Sequence, residues 1–356
     1  MSPLTASEPI FDVAQLAHVE LMTPDFDGTL RFFKDLLGMQ ETERQARSAY
    51  LRSYEEQYHH SLKVTAAPRA GLGHVAWRAR SPQALERRGT AIEAAGLGRG
   101  WIERDAGHGR AYRFDSPRGS PDGTALGRRL RHRVSWAATP LLNRPHRRPQ
   151  TGVPVRRIDH LNLMAANVGA ARDFMVDILG FRERERVAGD DDGLVLASWL
   201  SVTNLSHDIA IVPEPTDMRG RLHHVCFHYI SAQHLFDVAE LAKEGGFAIE
   251  HGPGRYGIGG ATLSLYAGAG GQSHRGHGGS RLHDFRSDLE DRGLEGIGAR
   301  CGRCLDRNAD AGLFLELRDA CSDRVARSPP KKILITRIAR SHPKIVRPMK
   351  TESRRT

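Results

Sequence analysis

Histidine is the residue whose placement first suggests chemistry. Four short segments each set one histidine inside an apolar, strand-like run: Leu16-Ala-His18-Val-Glu-Leu, Leu72-Gly-His74-Val-Ala-Trp77, Ile158-Asp-His160-Leu-Asn-Leu163 and Leu222-His-His224-Val-Cys-Phe227. If two such runs pair, equivalent imidazoles can face one cavity. Two imidazoles and one carboxylate on one side of a six-coordinate metal leave three open positions, the arrangement used for non-haem Fe(II) oxygen chemistry. His160 and His224 hold the same place in neighbouring copies and could both point into one cavity. A histidine in an apolar strand is more often packed than a ligand; His18 and His74 are read that way, and on spacing alone His160 and His224 start from the same expectation. His207, in Leu205-Ser-His207-Asp-Ile-Ala-Ile, is a candidate acid/base if it faces the same cavity, and otherwise a turn residue. Tyr256, in Gly254-Arg-Tyr-Gly257, either offers a phenol to a substrate or is a turn aromatic.

Elements must hold these groups, and their pattern repeats. After each histidine run comes a stretch with apolar residues at helical spacing that ends at or near glycine: residues 25–38, 82–96, 168–180 and 232–246. Further strand-like runs follow, such as 198–205 and 208–212. The unit is strand, helix, then several strands. A longer period joins Phe32-Phe-Lys-Asp-Leu-Leu-Gly38 to Phe174-Met-Val-Asp-Ile-Leu-Gly180, and His18 to His160, at an offset of 142. The fold class expected is α+β: four βαβββ units, paired into two barrel-like domains. The divisions expected are an N-terminal domain over 10–139, a linker over 140–156 rich in proline and arginine, a metal-bearing domain over 157–275, and a basic, disordered tail over 276–356.

Charge and composition exclude several classes. The net charge is +10, but residues 118–148 carry eight Lys/Arg against one acid, and residues 273–356 carry nineteen against eleven. The basic excess is confined to those two stretches, without aromatic interleaving, so nucleic acid is not expected as a partner. No apolar run reaches the roughly 20 residues a membrane helix needs, and the first residues do not read as a secretory signal. No membrane partner and a cytoplasmic location are the expectations. Four cysteines, with a lone Cys301-x-x-Cys304, make neither a disulfide framework nor a zinc site.

The chain resembles the type I extradiol dioxygenases of the vicinal-oxygen-chelate superfamily, and among them the catechol-cleaving branch. The resemblance covers about residues 10–117 and 139–259. It rests on Phe11-Asp-Val-Ala-Gln-Leu-Ala-His-Val-Glu-Leu, Arg157-Ile-Asp-His-Leu-Asn-Leu-Met, Gly220-Arg-Leu-His-His-Val-Cys-Phe and Glu250-His-Gly-Pro-Gly-Arg-Tyr-Gly. It implies iron in the C-terminal domain only, with His160 and His224 as ligands; the repeat aligns His224, not His223, with His74. It also implies His207 as acid/base and Tyr256 at a fourth active-site position. The implied reaction starts from a catechol-type substrate chelating Fe(II) through two oxygens, with O2 beside it, and ends in a 2-hydroxymuconic semialdehyde. A homotetramer is implied as well. Two alternatives stay open: a sibling enzyme for 2,3-dihydroxybiphenyl-type diols, and a metal-free binding relative. The ligand set does not separate Fe(II) from Mn(II).

The sequence departs from the family at the third ligand. A glutamate is expected in a string like Gly-Asn-Arg-x-Glu-Val, where this chain has Gly270-Gly-Gln-Ser-His-Arg-Gly-His-Gly278. Codons GGG CAA TCG CAT CGA GGT CAT GGG for residues 271–278, read one base later, give Gly-Asn-Arg-Ile-Glu-Val-Met. The glutamate would then span the codons of Arg275 and Gly276. The stretch from Arg118 likewise conceals a family-like closing strand. A shifted reading frame in two segments is therefore expected. His274 and His277 are nearby substitutes, but ordering a loop to place them has an entropic cost.

Overall fold

The computed structural model describes residues 10–117, 139–141, 147–189, 194–214, 222–255 and 262–267, together with the backbone of three strands at 121–125, 281–284 and 333–337. In the first half, β1 (Val13–Thr23), α1 (Phe26–Arg31), β2 (Gln40–Gln45), β3 (Ser48–Arg52) and β4 (Leu62–Ala66) form one unit. The next unit comprises β5 (Gly71–Ala79), α2 (Pro82–Ala94), β6 (Gly98–Ile102), β7 (Ala111–Asp115) and β8 (Pro121–Ala125). The second half repeats the order. Its third unit is β9 (Arg157–Ala165), α3 (Val168–Asp173), β10 (Arg182–Gly189), β11 (Val195–Ser201) and β12 (Ile209–Pro213). Its fourth is β13 (Leu222–His228), α4 (Ala232–Glu244), β14 (Ile249–Arg255), β15 (Thr262–Ala267) and β16 (Arg281–Asp284). A last strand, β17, spans Ile333–Arg337.

Each helix begins on a side chain suited to cap it. Asp25 accepts from the Gly28 N–H and Asn167 from the Ala170 N–H, both at 2.9 Å. Ser81 and Ser231 do the same for α2 and α4. Both α1 and α3 run on into a π-helical turn, Phe32–Leu36 and Phe174–Ile178. The glycines after those turns, Gly38 and Gly180, have φ of 60° and 78°, a backbone that glycine adopts without a Cβ clash.

The sheets show how the units pair. The first has strand order β2-β3-β4-β1-β5-β8-β7-β6, and the second β14-β15-β16-β13-β9-β12-β11-β10-β17. In each, the first strands of two units lie antiparallel at the centre, and each is flanked by a parallel partner from its own unit. Both halves share one apolar core. Phe32 and Phe33 pack on Phe247 and Phe227, with ring centroids at 5.4 and 6.1 Å, and Trp77 meets Phe181 at 4.9 Å.

The end of the connection between the halves is buried. Val153 and Val155 donate to the carbonyls of Leu36 and Leu37, and Val153 accepts from the Tyr229 hydroxyl. Apolar side chains there are drawn into the shared core, whereas Pro140 and Leu141 stay exposed. The stretch after residue 275 contributes two strands: β16 beside β13 and β17 on the edge of β10. Open strand edges offer unpaired N–H and C=O groups that any extended segment can meet. The lone Cys301/Cys304 pair lies outside the described residues. Among the described residues, no helix is long and apolar enough to cross a membrane.

Candidate metal centre

β9 and β13 carry His160 and His224 on a ladder that slips twice. Val225 lies opposite Leu161, but Phe227 lies opposite Ile158, so β9 holds one extra residue around Asp159 and His160. Leu222 faces Leu163 and His224 faces Asn162, so β13 holds an extra residue at His223. A bulge breaks the alternation that would send neighbouring side chains to opposite faces. Asp159 thereby reaches its own neighbour: Oδ2 lies 2.7 Å from His160 Nδ1, with the two side chains 3% and 6% exposed. His223 Nδ1 lies 2.8 Å from His224 Nδ1.

The expected histidines come together. The His160 ring lies 4.2 Å from that of His207 and 5.6 Å from that of His224, centroid to centroid. All three are buried. His207 sits at the end of the bend between β11 and β12, and Asp208 shapes that bend. The Asp208 carboxylate accepts from the N–H groups of Val202 and Thr203 at 2.8 and 3.0 Å, and from the Thr203 hydroxyl at 2.9 Å. Burial pushes the Asp208 carboxyl up from its ordinary value, against the lowering effect of those bonds. Ser206 Oγ lies 2.9 Å from His207 Nδ1.

A carboxylate can only accept, so His160 holds its proton on Nδ1 toward Asp159 and presents the Nε2 lone pair. That carboxylate–imidazole arrangement is the one that orients metal-binding histidines. Among the described residues, one set of three donors lies within 4.8 Å of one another: Asp159, His160 and Cys226. The imidazoles of His160, His207 and His224 do not form so tight a set. Buried imidazoles, one of them oriented by a carboxylate, fit the nitrogen part of a divalent-metal site. Residues 275–276, where a glutamate is expected, lie outside the described residues, as do Tyr256, His274 and His277. Asp159, Asp208 and Cys226 escaped the sequence reading. Adjacency to His160 was the only signal for Asp159, and strand alternation argues against using it.

The chain matches known proteins over both halves. The family described as Glyoxalase/Bleomycin resistance protein/Dioxygenase superfamily matches twice, over residues 15–123 and 157–266. A metapyrocatechase of Geobacillus stearothermophilus is 51% identical over 251 residues, 70% of this chain and 76% of that one. A manganese-dependent 2,3-dihydroxybiphenyl 1,2-dioxygenase of Geobacillus genomosp. 3 is 33% identical over 267 residues, 74% and 84% of the two chains. Among solved structures, homoprotocatechuate 2,3-dioxygenase from Brevibacterium fuscum, in complex with 3,4-dihydroxyphenylacetate, superposes with a TM-score of 0.65 at 25% identity, covering 81% of this chain and 84% of that one. Two matched copies of one module, in the order the sheets display, leave one assignment: the chain belongs to the Glyoxalase/Bleomycin resistance protein/Dioxygenase superfamily.

Proposed function

We propose that this chain is an extradiol dioxygenase that opens catechol and alkylcatechols with O2, its C-terminal half holding one divalent metal, Fe(II), through His160 and His224. The observation that carries the reading is the meeting of His160, His207 and His224, three buried imidazoles from two strands and the bend between β11 and β12. The 51% identity to a metapyrocatechase supports the substrate class, and the manganese-dependent relative makes Mn(II) the alternative metal. Bound there, the metal would relay electrons from the diol to O2. The protein's own groups do the rest. Asp159 keeps the His160 lone pair aimed inward. His207, held by the Asp208 bend, stands beside His160 to take and return a proton of the substrate. Tyr256 is assigned as a hydrogen-bond donor to substrate. Catechol takes up both atoms of O2 and releases none of its own atoms, so the product is 2-hydroxymuconic semialdehyde.

The sequence favours a weakened form of this enzyme, because residues 270–278 contain no glutamate. The shifted-frame reading accounts for that, and the family match ends at residues 123 and 266, near both affected segments. Two imidazoles without a carboxylate leave the charge of the ion less compensated, so affinity for Fe(II) falls. The test is anaerobic loading of the full chain with Fe(II), addition of catechol, then air. A visible absorbance that rises only with O2, and is lost in His160→Ala and His224→Ala, supports the assignment. Catechol or biphenyl diol binding that is indifferent to chelators, with no product from either the written or the frame-restored chain, replaces it with a metal-free binding relative. Light scattering on the same sample reads the assembly, for which a homotetramer is expected.

A further inference from the structure

A second concentration of imidazoles lies in the N-terminal half, and it does not depend on the C-terminal reading. His18 comes from β1 and His74 from β5; His60 stands just ahead of β4 and His108 lies in the loop between β6 and β7. His18 Nε2 lies 2.8 Å from His74 Nε2. The His18 ring is 4.4 Å from that of His60, 4.9 Å from that of His74 and 5.8 Å from that of His108. His18 and His60 are 4% and 5% exposed. In the sequence His18 and His74 read as packed strand residues, and His60 and His108 stand outside the repeated runs.

The hydrogen bonds around this cluster set its tautomers. His74 Nδ1 lies 2.8 Å from Glu20 Oε2, a carboxylate that only accepts, so the proton is on Nδ1 and Nε2 carries a lone pair. His108 Nδ1 lies 2.9 Å from the Gly109 carbonyl, which forces the same tautomer. His59 Nε2 lies 3.0 Å from Glu43 Oε2 and must donate there. A neutral His59 then accepts at Nδ1, so His60, 3.0 Å away, donates from its own Nδ1 and again has a lone pair on Nε2. Three imidazoles grouped around His18 thus present Nε2 lone pairs, each oriented from behind by an acceptor. That is the outer arrangement of histidine metal sites.

We propose that His18, His60, His74 and His108 form a second metal site, which takes a divalent transition ion of the zinc type through Nε2 atoms, the proton that His18 Nε2 donates to His74 Nε2 moving to His18 Nδ1 as the ion enters, and ties the first two modules together. The donors are nitrogen only. Glu20 is committed to His74, Thr65 and Lys63, so it orients and does not ligate. Nitrogen donors suit zinc, cobalt or nickel better than magnesium or calcium. Two nitrogens bound to one ion at about 2.1 Å stand roughly 3–3.4 Å apart, so the His18/His74 pair need open by only a few tenths of an ångström. The His60 and His108 rings lie 4.4 and 5.8 Å from that of His18.

The test uses the full chain carrying His160→Ala and His224→Ala, which removes the C-terminal pair. After chelator treatment and desalting, Co(II) or Zn(II) is added, and bound metal is measured by elemental analysis. One equivalent per chain, visible Co(II) ligand-field bands and a Zn(II)-dependent rise in Tm are expected. Adding His18→Ala and His74→Ala should abolish all three, while His108→Ala alone should weaken binding about tenfold with the circular dichroism unchanged. A folded His160→Ala/His224→Ala chain that retains no metal overturns the proposal. So does retention that persists without His18 and His74. Ring cleavage by a folded chain altered only at His18 and His74 reports on the C-terminal reading separately.

Discussion

Replacing Asp159 tests the metal centre most directly. Its Oδ2 sits 2.7 Å from His160 Nδ1, and both side chains are almost fully buried. Asp159→Asn keeps an acceptor for the Nδ1 proton but removes the charge. Asp159→Ala removes both the charge and the group that fixes the ring. Loss of an orienting partner behind a metal-binding histidine typically lowers metal affinity 10–100-fold, or about 1.4–2.7 kcal/mol. Asparagine should fall near the tenfold end and alanine near the hundredfold end. Competition of Fe(II) or Mn(II) against a chromophoric chelator gives the affinity, and a thermal melt without metal separates it from folding. Unchanged affinity in folded Asp159→Asn would falsify the orienting role. A loss well beyond a hundredfold would contradict it from the other side, making Asp159 itself a ligand with His160 and Cys226, the set whose donors lie within 4.8 Å.

Two further expectations follow from charge and from the reading frame. Hydrogen bonding from Arg44, aided by Lys34, holds the Glu41 carboxyl down to about 2, so the folded chain binds that proton less readily than the unfolded one. Its stabilisation is complete above the ordinary value of 4.5 and is lost as pH falls toward 2, so the gap between wild type and Glu41→Gln in acid denaturation should close over that window. Replacing residues 271–277 by Gly-Asn-Arg-Ile-Glu-Val-Met should raise Fe(II) affinity and ring-cleavage rate at least tenfold, since it returns a carboxylate to the ligand set. Equal affinity in the two chains, or a gene whose single frame encodes the written segment, refutes the shifted-frame account.

Much of the architecture was legible in the sequence. The 142-residue offset, the four histidine runs and the four helical stretches foretell the paired modules, because each signal is carried by residues close along the chain. The approach of His160 to His224 was likewise expected, because two copies of one unit put equivalent residues at equivalent places when they pair.

Tertiary structure decided what depends on register and on distant segments. Asp159 bonds to its neighbour only because β9 carries an extra residue opposite β13, and nothing within a strand of alternating residues announces a bulge. His18 meets His74 across 56 residues, and His60 and His108 join them from positions outside the repeated runs. The tautomers there follow from acceptors on other strands and loops. Periodicity along the chain specifies which face a residue takes; which groups meet on that face depends on how separate strands align, and that is fixed by packing the whole domain.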